Sequence, residues 1–154
     1  MKFLTRSRYA LRAMIELALR PREESVPLKL IAAHQHLSIK YLEQIFVPLS
    51  KAGLIRSERG SQGGYRLALD PGQCTIGMIL RAMEGDFFPV ECLDKQNCAY
   101  TGSCMAVDFW RELGRCMEKY ADSVTLLDLA EGRLSSQPQP LTEKKLLNNP
   151  SSQL

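Results

Sequence analysis

Ser38-Ile-Lys-Tyr-Leu-Glu-Gln-Ile-Phe-Val-Pro-Leu-Ser-Lys-Ala-Gly53 is the stretch on which the fold turns. Leu42, Ile45 and Phe46 fall on one helical face, Ser38 is placed to cap the helix by accepting an early backbone N–H, and Gly53 closes it. Pro48 removes one hydrogen bond and crowds the previous turn at a cost of about 3 kcal/mol, which predicts a kink or break around Ile45 to Val47. Directly afterwards Leu54-Ile-Arg-Ser-Glu58 and Tyr65-Arg-Leu-Ala-Leu69 alternate as short strands, and Arg59-Gly-Ser-Gln-Gly-Gly64 supplies the glycines of a hairpin loop. Upstream, Tyr9, Ala10, Ala13, Met14, Leu17 and Ala18 mark an amphipathic helix over 6–19. Pro27 suits the first turn of a shorter helix over 28–36. Three helices followed by a β-hairpin are the order of a winged helix-turn-helix, a mostly α fold with a small β-hairpin wing.

The 154 residues, 45% hydrophobic and 24% charged, suit one ordinary globular domain with a tail. A chain of this length buries roughly 68–70% of its unfolded surface, so its five cysteines are not needed as staples. Lys2, Arg6 and Arg8 precede an apolar segment cut by Arg12 and Glu16, which fits neither a signal peptide nor a membrane span. An odd cysteine count without an export signal points to the reducing cytoplasm, where thiols bind metal, react or sit in the core. The charge is uneven: residues 1–70 hold 12 Lys and Arg against 6 Asp and Glu, a net +6, while residues 71–154 hold 8 against 11, a net −3. Such a split is often only scatter on a solvated surface, but a basic half is also what a nucleic-acid partner requires.

Four regions follow. Residues 1–85 form the winged helix-turn-helix, ending in a helix over 76–84 that Thr75 caps and Gly85 stops. Residues 86–104 form a long aperiodic loop bearing cysteines, and loops of that length are usually functional or disordered. Residues 105–131 carry a long helix and a short one. Residues 132–154 are too rich in Ser, Pro, Gln and Asn to bury a core and are expected to be disordered. No internal repeat is evident.

If 39–52 is a recognition helix, Ser38, Lys40, Tyr41, Glu43 and Gln44 face DNA. Gln bonds adenine bidentately, Glu accepts from cytosine N4, and Lys and Tyr reach phosphate. The plainer alternative is a helical hairpin inside a larger domain, which the wing and the basic half argue against. Arg59 and Arg66 flank the Gly-rich loop, whose backbone at Gly60 approaches a sugar-phosphate chain closely while Arg59 enters a minor groove. For Gly60, Gly63 and Gly64 themselves, turning the chain is the simpler role.

Cys92, Cys98 and Cys104 stand six residues apart. Structural zinc takes pairs two to four residues apart and four ligands, whereas iron–sulfur clusters accept looser spacings and a non-cysteine ligand. Spacing alone leaves a cluster, reactive thiols and zinc open. Cys116 lies on the apolar stripe of the long helix and reads by default as core, and Cys74 as structural. His34 and His36 diverge on a helix and make a poor metal pair. The stripe Ala106, Phe109, Trp110, Leu113, Cys116, Met117 and Tyr120 serves as intramolecular core or as a seam with a second copy; Phe109, Trp110, Leu113, Met117 and Tyr120 are the candidate dimer interface. A winged helix reading a two-fold site needs a dimer.

Arg8-Tyr-Ala10, Tyr41-Leu-Glu-Gln44, Lys51-Ala-Gly-Leu54, Arg59-Gly60 with Gly63-Gly-Tyr65, and the three spaced cysteines followed by Trp110 are weak marks singly and specific together. Over about residues 1–130 the chain resembles the bacterial winged-helix regulators of the IscR, NsrR and CymR family, and its recognition string and wing look most like IscR. The resemblance implies that Glu43, Gln44 and Arg59 read bases or grooves. It further implies that Cys92, Cys98 and Cys104 ligate an iron–sulfur cluster, 2Fe–2S in the first place and 4Fe–4S as the alternative, and that the helix over 106–120 builds a homodimer. IscR-like chains carry a histidine three residues after the last cysteine, where this one has Val107. NsrR-like chains draw an aspartate from near the partner's N-terminus, where this one has Arg8. The fourth ligand is open among Asp108, Glu112, Cys116, a partner group and a small molecule. Asp108 is a weak candidate, being rotated by about 100° from Val107.

The expectation is a cytoplasmic, homodimeric, sequence-specific DNA-binding regulator, a repressor by preference, that binds a pseudo-palindromic operator in double-stranded DNA under cluster control and senses iron or cluster supply, redox state or nitric oxide. The alternative is a cluster-free thiol-switch or partner-controlled repressor of the same fold. With no Cys-x-x-Cys, no phosphate loop and no triad around two histidines, an enzyme is not expected.

Overall fold

The computed structural model describes residues 4–61, 63–94, 100 and 102–134. Its first helix, α1 (Thr5–Ala18), buries Ser7, Ala10, Ala13, Met14 and Leu17 along one stripe. Leu4 offers α1 no capping side chain. The cap comes instead from the last residue of α4 (Ile76–Glu84), because Glu84 Oε1 accepts the Leu4 N–H at 2.7 Å and the hydroxyl of the buried Ser7. A carboxylate at a helix N-terminus also meets the positive end of its dipole. Alongside, the Arg6 guanidinium donates to the Met83 carbonyl at 2.7 Å.

α2 (Leu28–Gln35) begins after Pro27 and ends at His36, whose φ of +55° turns the chain into the short junction before Ser38. α3 (Ile39–Lys51) starts where Ser38 Oγ accepts the Tyr41 N–H at 3.2 Å. Its inner face, Leu42, Ile45, Phe46 and Leu49, is at most 1% exposed. The break expected near Pro48 does not occur, and one helix runs through Ile45 to Val47. Burying each of those four side chains is worth about 1.5–3 kcal/mol, which together outweighs the local cost of the proline.

The wing is β1 (Ile55–Glu58) antiparallel to β2 (Gly64–Leu67), with Ile55 opposite Leu67 and Glu58 opposite Gly64. Val26 adds a single bridge to Tyr65, each accepting the other's N–H at 2.9 Å. That approach explains Gly64, since a Cβ there would lie 2.4 Å from the Val26 carbonyl carbon and oxygen. The Tyr65 ring meets Phe46 edge-on, centroids 4.8 Å apart, and so holds the wing to α3.

α4 is capped by Thr75 Oγ1, which accepts the Met78 N–H at 3.2 Å. It is pinned to the C-terminal elements by Ile76 N–H to Val124 O at 2.9 Å and Leu126 N–H to Cys74 O at 2.7 Å. Among its described residues, segment 86–103, aperiodic in sequence, contains one helical turn, α5 (Glu91–Asp94). α6 (Val107–Ser123) follows, and then α7 (Leu126–Ala130) behind a reciprocal Thr125–Asp128 cap. α1, α3, α4 and α7 enclose a continuous core that also takes in Val26, Ile31 and Leu54. Residues 135–154, the bulk of the expected disordered tail, lie outside the described residues.

α6 differs most from expectation. Only Gly114 and Ala121 are buried, Trp110 and Met117 are half-buried, and Phe109, Leu113, Cys116 and Tyr120 are exposed. Cys116 is therefore not a core residue in this fold. The stripe Trp110, Gly114, Met117, Ala121 faces the domain, and the stripe displaced by one residue, about 100° round the helix, faces outward. Gly114 admits the preceding segment: a Cβ there would lie 2.9 Å from the Phe87 carbonyl oxygen and 3.2 Å from Pro89.

Candidate functional site

Two surfaces carry the candidate residues. The first is the outer face of α3. With Leu42, Ile45, Phe46 and Leu49 fixed inward, a period of 3.6 residues turns Lys40, Glu43 and Gln44 outward, and all three are exposed, as is Ser38 beside them. Ser38 already holds the helix start through its hydroxyl. Tyr41 is half-buried, its ring edge-on to Tyr9 with centroids 6.1 Å apart. No acid stands in the first turn of α3.

In the wing, Glu58 accepts from the Ser25 hydroxyl at 2.8 Å and from the Arg66 guanidinium, and these two contacts hold its carboxyl below the ordinary range. Arg66 is thereby committed to the hairpin. Arg59 is exposed at the tip, followed by Gly60, which is also exposed and has a φ of +113°. Gln62 lies outside the described residues.

The second surface is a groove of about 940 Å³ between residues of 87–93 and 100–104 on one side and α6 from Val107 to Glu118 on the other. Cys92, on α5, and Cys104, just before α6, both line it as free thiols. Cys98 lies outside the described residues. Val107 lines the same groove and has no donor atom. Asp108 lines it too, but its carboxylate is largely exposed and accepts from Arg111 at 3.1 Å. Glu112 is exposed and paired with Arg115 at 3.0 Å, and Cys116 is not part of the groove. Among the described residues no three His, Cys, Asp or Glu side chains converge as a metal site. His34 is held by Glu16 at 2.6 Å.

Residues that sequence reading passed over complete this groove. Phe87 and Phe88 form apolar wall, and Arg111 and Arg115 line it while paired with Asp108 and Glu112. The available signal was Gly114, a residue that costs about 1 kcal/mol inside a helix and so marks a close approach by something else. Of the candidate dimer residues, Phe109, Leu113 and Tyr120 are 62%, 37% and 66% exposed, while Trp110 and Met117 are half-buried nearer the domain. Among the described residues no helix is long and apolar enough to cross a membrane.

The family model described as Rrf2, iron-dependent transcriptional regulator, matches residues 3–132. The HTH-type transcriptional regulator IscR of Aliivibrio salmonicida is 38% identical over 129 residues, covering 84% of this chain and 77% of that protein. Among solved structures, CymR, the global cysteine regulator of B. subtilis, superposes with a TM-score of 0.72 at 37% identity, covering 86% of this chain and 98% of that one. IscR of T. potens superposes with a TM-score of 0.69 at 34% identity, covering 90% and 93%.

Proposed function

The chain belongs to the Rrf2 family of transcriptional regulators and is IscR-like, and on that premise we propose that it is a cytoplasmic homodimer that represses by reading a pseudo-palindromic operator and releases or retargets DNA according to an iron–sulfur cluster. Its similarity is to regulators, not enzymes. The observation that carries the reading is the arrangement of Lys40, Glu43 and Gln44 on the solvent side of a helix whose other side is the core. Lys40 engages phosphate, Glu43 and Gln44 engage base edges, Ser38 orients the helix start with Tyr41 beside it, and Arg59 at Gly60 tracks the adjacent minor groove.

The groove fits a cluster in its donor chemistry. Cys92 and Cys104 open into one cavity, and the proposed third ligand Cys98 lies between them in sequence. When bound, the cluster would supply reversible one-electron and ligand-exchange chemistry. With Val107 donating nothing, the fourth position falls to Asp108, if it leaves Arg111, or to a group from outside the chain.

The same Val107 favours a second reading, a thiol switch on this fold without a cluster, and the close superposition with the cysteine regulator CymR supports it. Anaerobic purification with visible absorption, iron and acid-labile sulfide analysis separates the two. The cluster reading expects a chromophore that Cys92→Ala abolishes while the fold survives. Colourless protein that cannot be reconstituted rejects the cluster. For the DNA interface, Gln44→Ala loses about 1–3 kcal/mol of base discrimination, while Lys40→Ala weakens binding across sequences. If wild type binds random duplex as well as any operator, the regulator reading fails.

A further inference from the structure

Thymine shows the major groove a C5-methyl group beside one carbonyl acceptor, so a helix that reads bases needs apolar as well as polar groups. Two large apolar side chains stand on the outer face of α3: Ile39 is 44% exposed and Val47 is 52% exposed. Ile39, Glu43 and Val47 follow one another at four-residue steps and form a single row on the helix surface. Ile39 is the first residue of the helix, but Ser38 does the capping, and the first helical position favours proline or an acid over a β-branched side chain. Nor is Ile39 among the side chains packed on the hydrophobic core. Neither helix formation nor burial accounts for an isoleucine there.

Resting on the reading of α3 as the recognition helix, we propose that Ile39 is a specificity-determining residue whose branched side chain packs against the C5-methyl of a thymine in the operator. Four residues of helix rise about 6 Å and one base-pair step about 3.4 Å, so this thymine lies within two base pairs of the one that Glu43 reads. Lys40, next to Ile39, and the +6 charge of residues 1–70 select DNA over an apolar protein segment as the occupant of this row.

The test begins by selecting an operator from a random duplex pool with the full-length protein. Each thymine is then replaced singly by uracil, which removes only the methyl group. At one position per half-site the replacement weakens wild-type binding about three- to fivefold, the affinity equivalent of one methyl group withdrawn from water. Ile39→Ala binds the thymine and uracil duplexes equally, Ile39→Val keeps part of the difference, and Gln44→Ala keeps all of it. Circular dichroism and urea midpoints of the Ile39 variants confirm folded protein. An enriched operator at which no uracil replacement matters, or a loss that persists in Ile39→Ala, overturns the assignment and leaves the recognition helix standing. A pool with no enriched sequence removes both.

Discussion

Cys74 and Cys116 show how far one residue's role depends on which side of its element is covered. Cys74 is 1% exposed, and burial pushes its thiol up to about 11 from an ordinary 9.0. Below pH 9 both folded and unfolded chains keep the proton. Between about pH 9 and pH 11 the unfolded thiol ionises first, so the unfolded chain binds fewer protons and stability falls as pH rises. Urea midpoints of wild type are expected to drop more steeply across that window than those of Cys74→Ala; parallel curves would show that Cys74 contributes nothing to alkaline lability. Sequence alone placed Cys74 correctly as structural. It misplaced Cys116, because helical periodicity reports that a face is apolar but not whether the chain itself or a second surface covers it. The same limit hid the part played by Glu84, whose cap on α1 joins residues 80 positions apart and leaves no local trace.

At the scale of elements, the helix order, the Ser38 and Thr75 caps and the hairpin were legible because each rests on chemistry within a few residues. The unbroken α3 was not, since local propensity puts a break at Pro48 and only the burial of Leu42, Ile45, Phe46 and Leu49 reverses it. The groove was half legible: the spaced cysteines marked this segment as functional and two of them, Cys92 and Cys104, line it, but Phe87, Arg111 and Arg115 join it only once the chain folds. Gly64 is the element-scale residue with the clearest consequence. Added as alanine, its Cβ meets backbone of Val26 at 2.4 Å, where no side-chain rotation relieves the clash. Gly64→Ala is expected to cost about 2 kcal/mol or more in chemical unfolding, through overpacking and loss of the Val26–Tyr65 bridge. Because Tyr65 holds the wing to Phe46, DNA binding at saturating stability should also lose the contribution of Arg59. An unchanged unfolding midpoint would mean that the wing floats free of the domain.

For the whole molecule, the decisive fact is an outward apolar stripe on a 17-residue helix, with Phe109, Leu113, Cys116 and Tyr120 all exposed beside a domain whose core is already complete without them. Contiguous apolar faces of this kind mark interaction surfaces, and a second copy offers the same stripe with the two-fold symmetry that paired half-sites require. Leu113→Asp places a charge in the middle of that stripe without touching the buried face at Gly114 and Ala121. It is expected to convert the sedimenting species from dimer to monomer at micromolar concentration while the helical circular dichroism is kept. Cys116 supplies an internal reporter, since it should resist alkylation in wild type and react in the variant. Operator affinity should fall by orders of magnitude in the same variant, because each half-site is then bound separately and the gain from linking two recognition helices is lost. A wild-type chain that sediments as a monomer with Cys116 fully reactive would reject the dimer, and the outward stripe of α6 would then need a different partner.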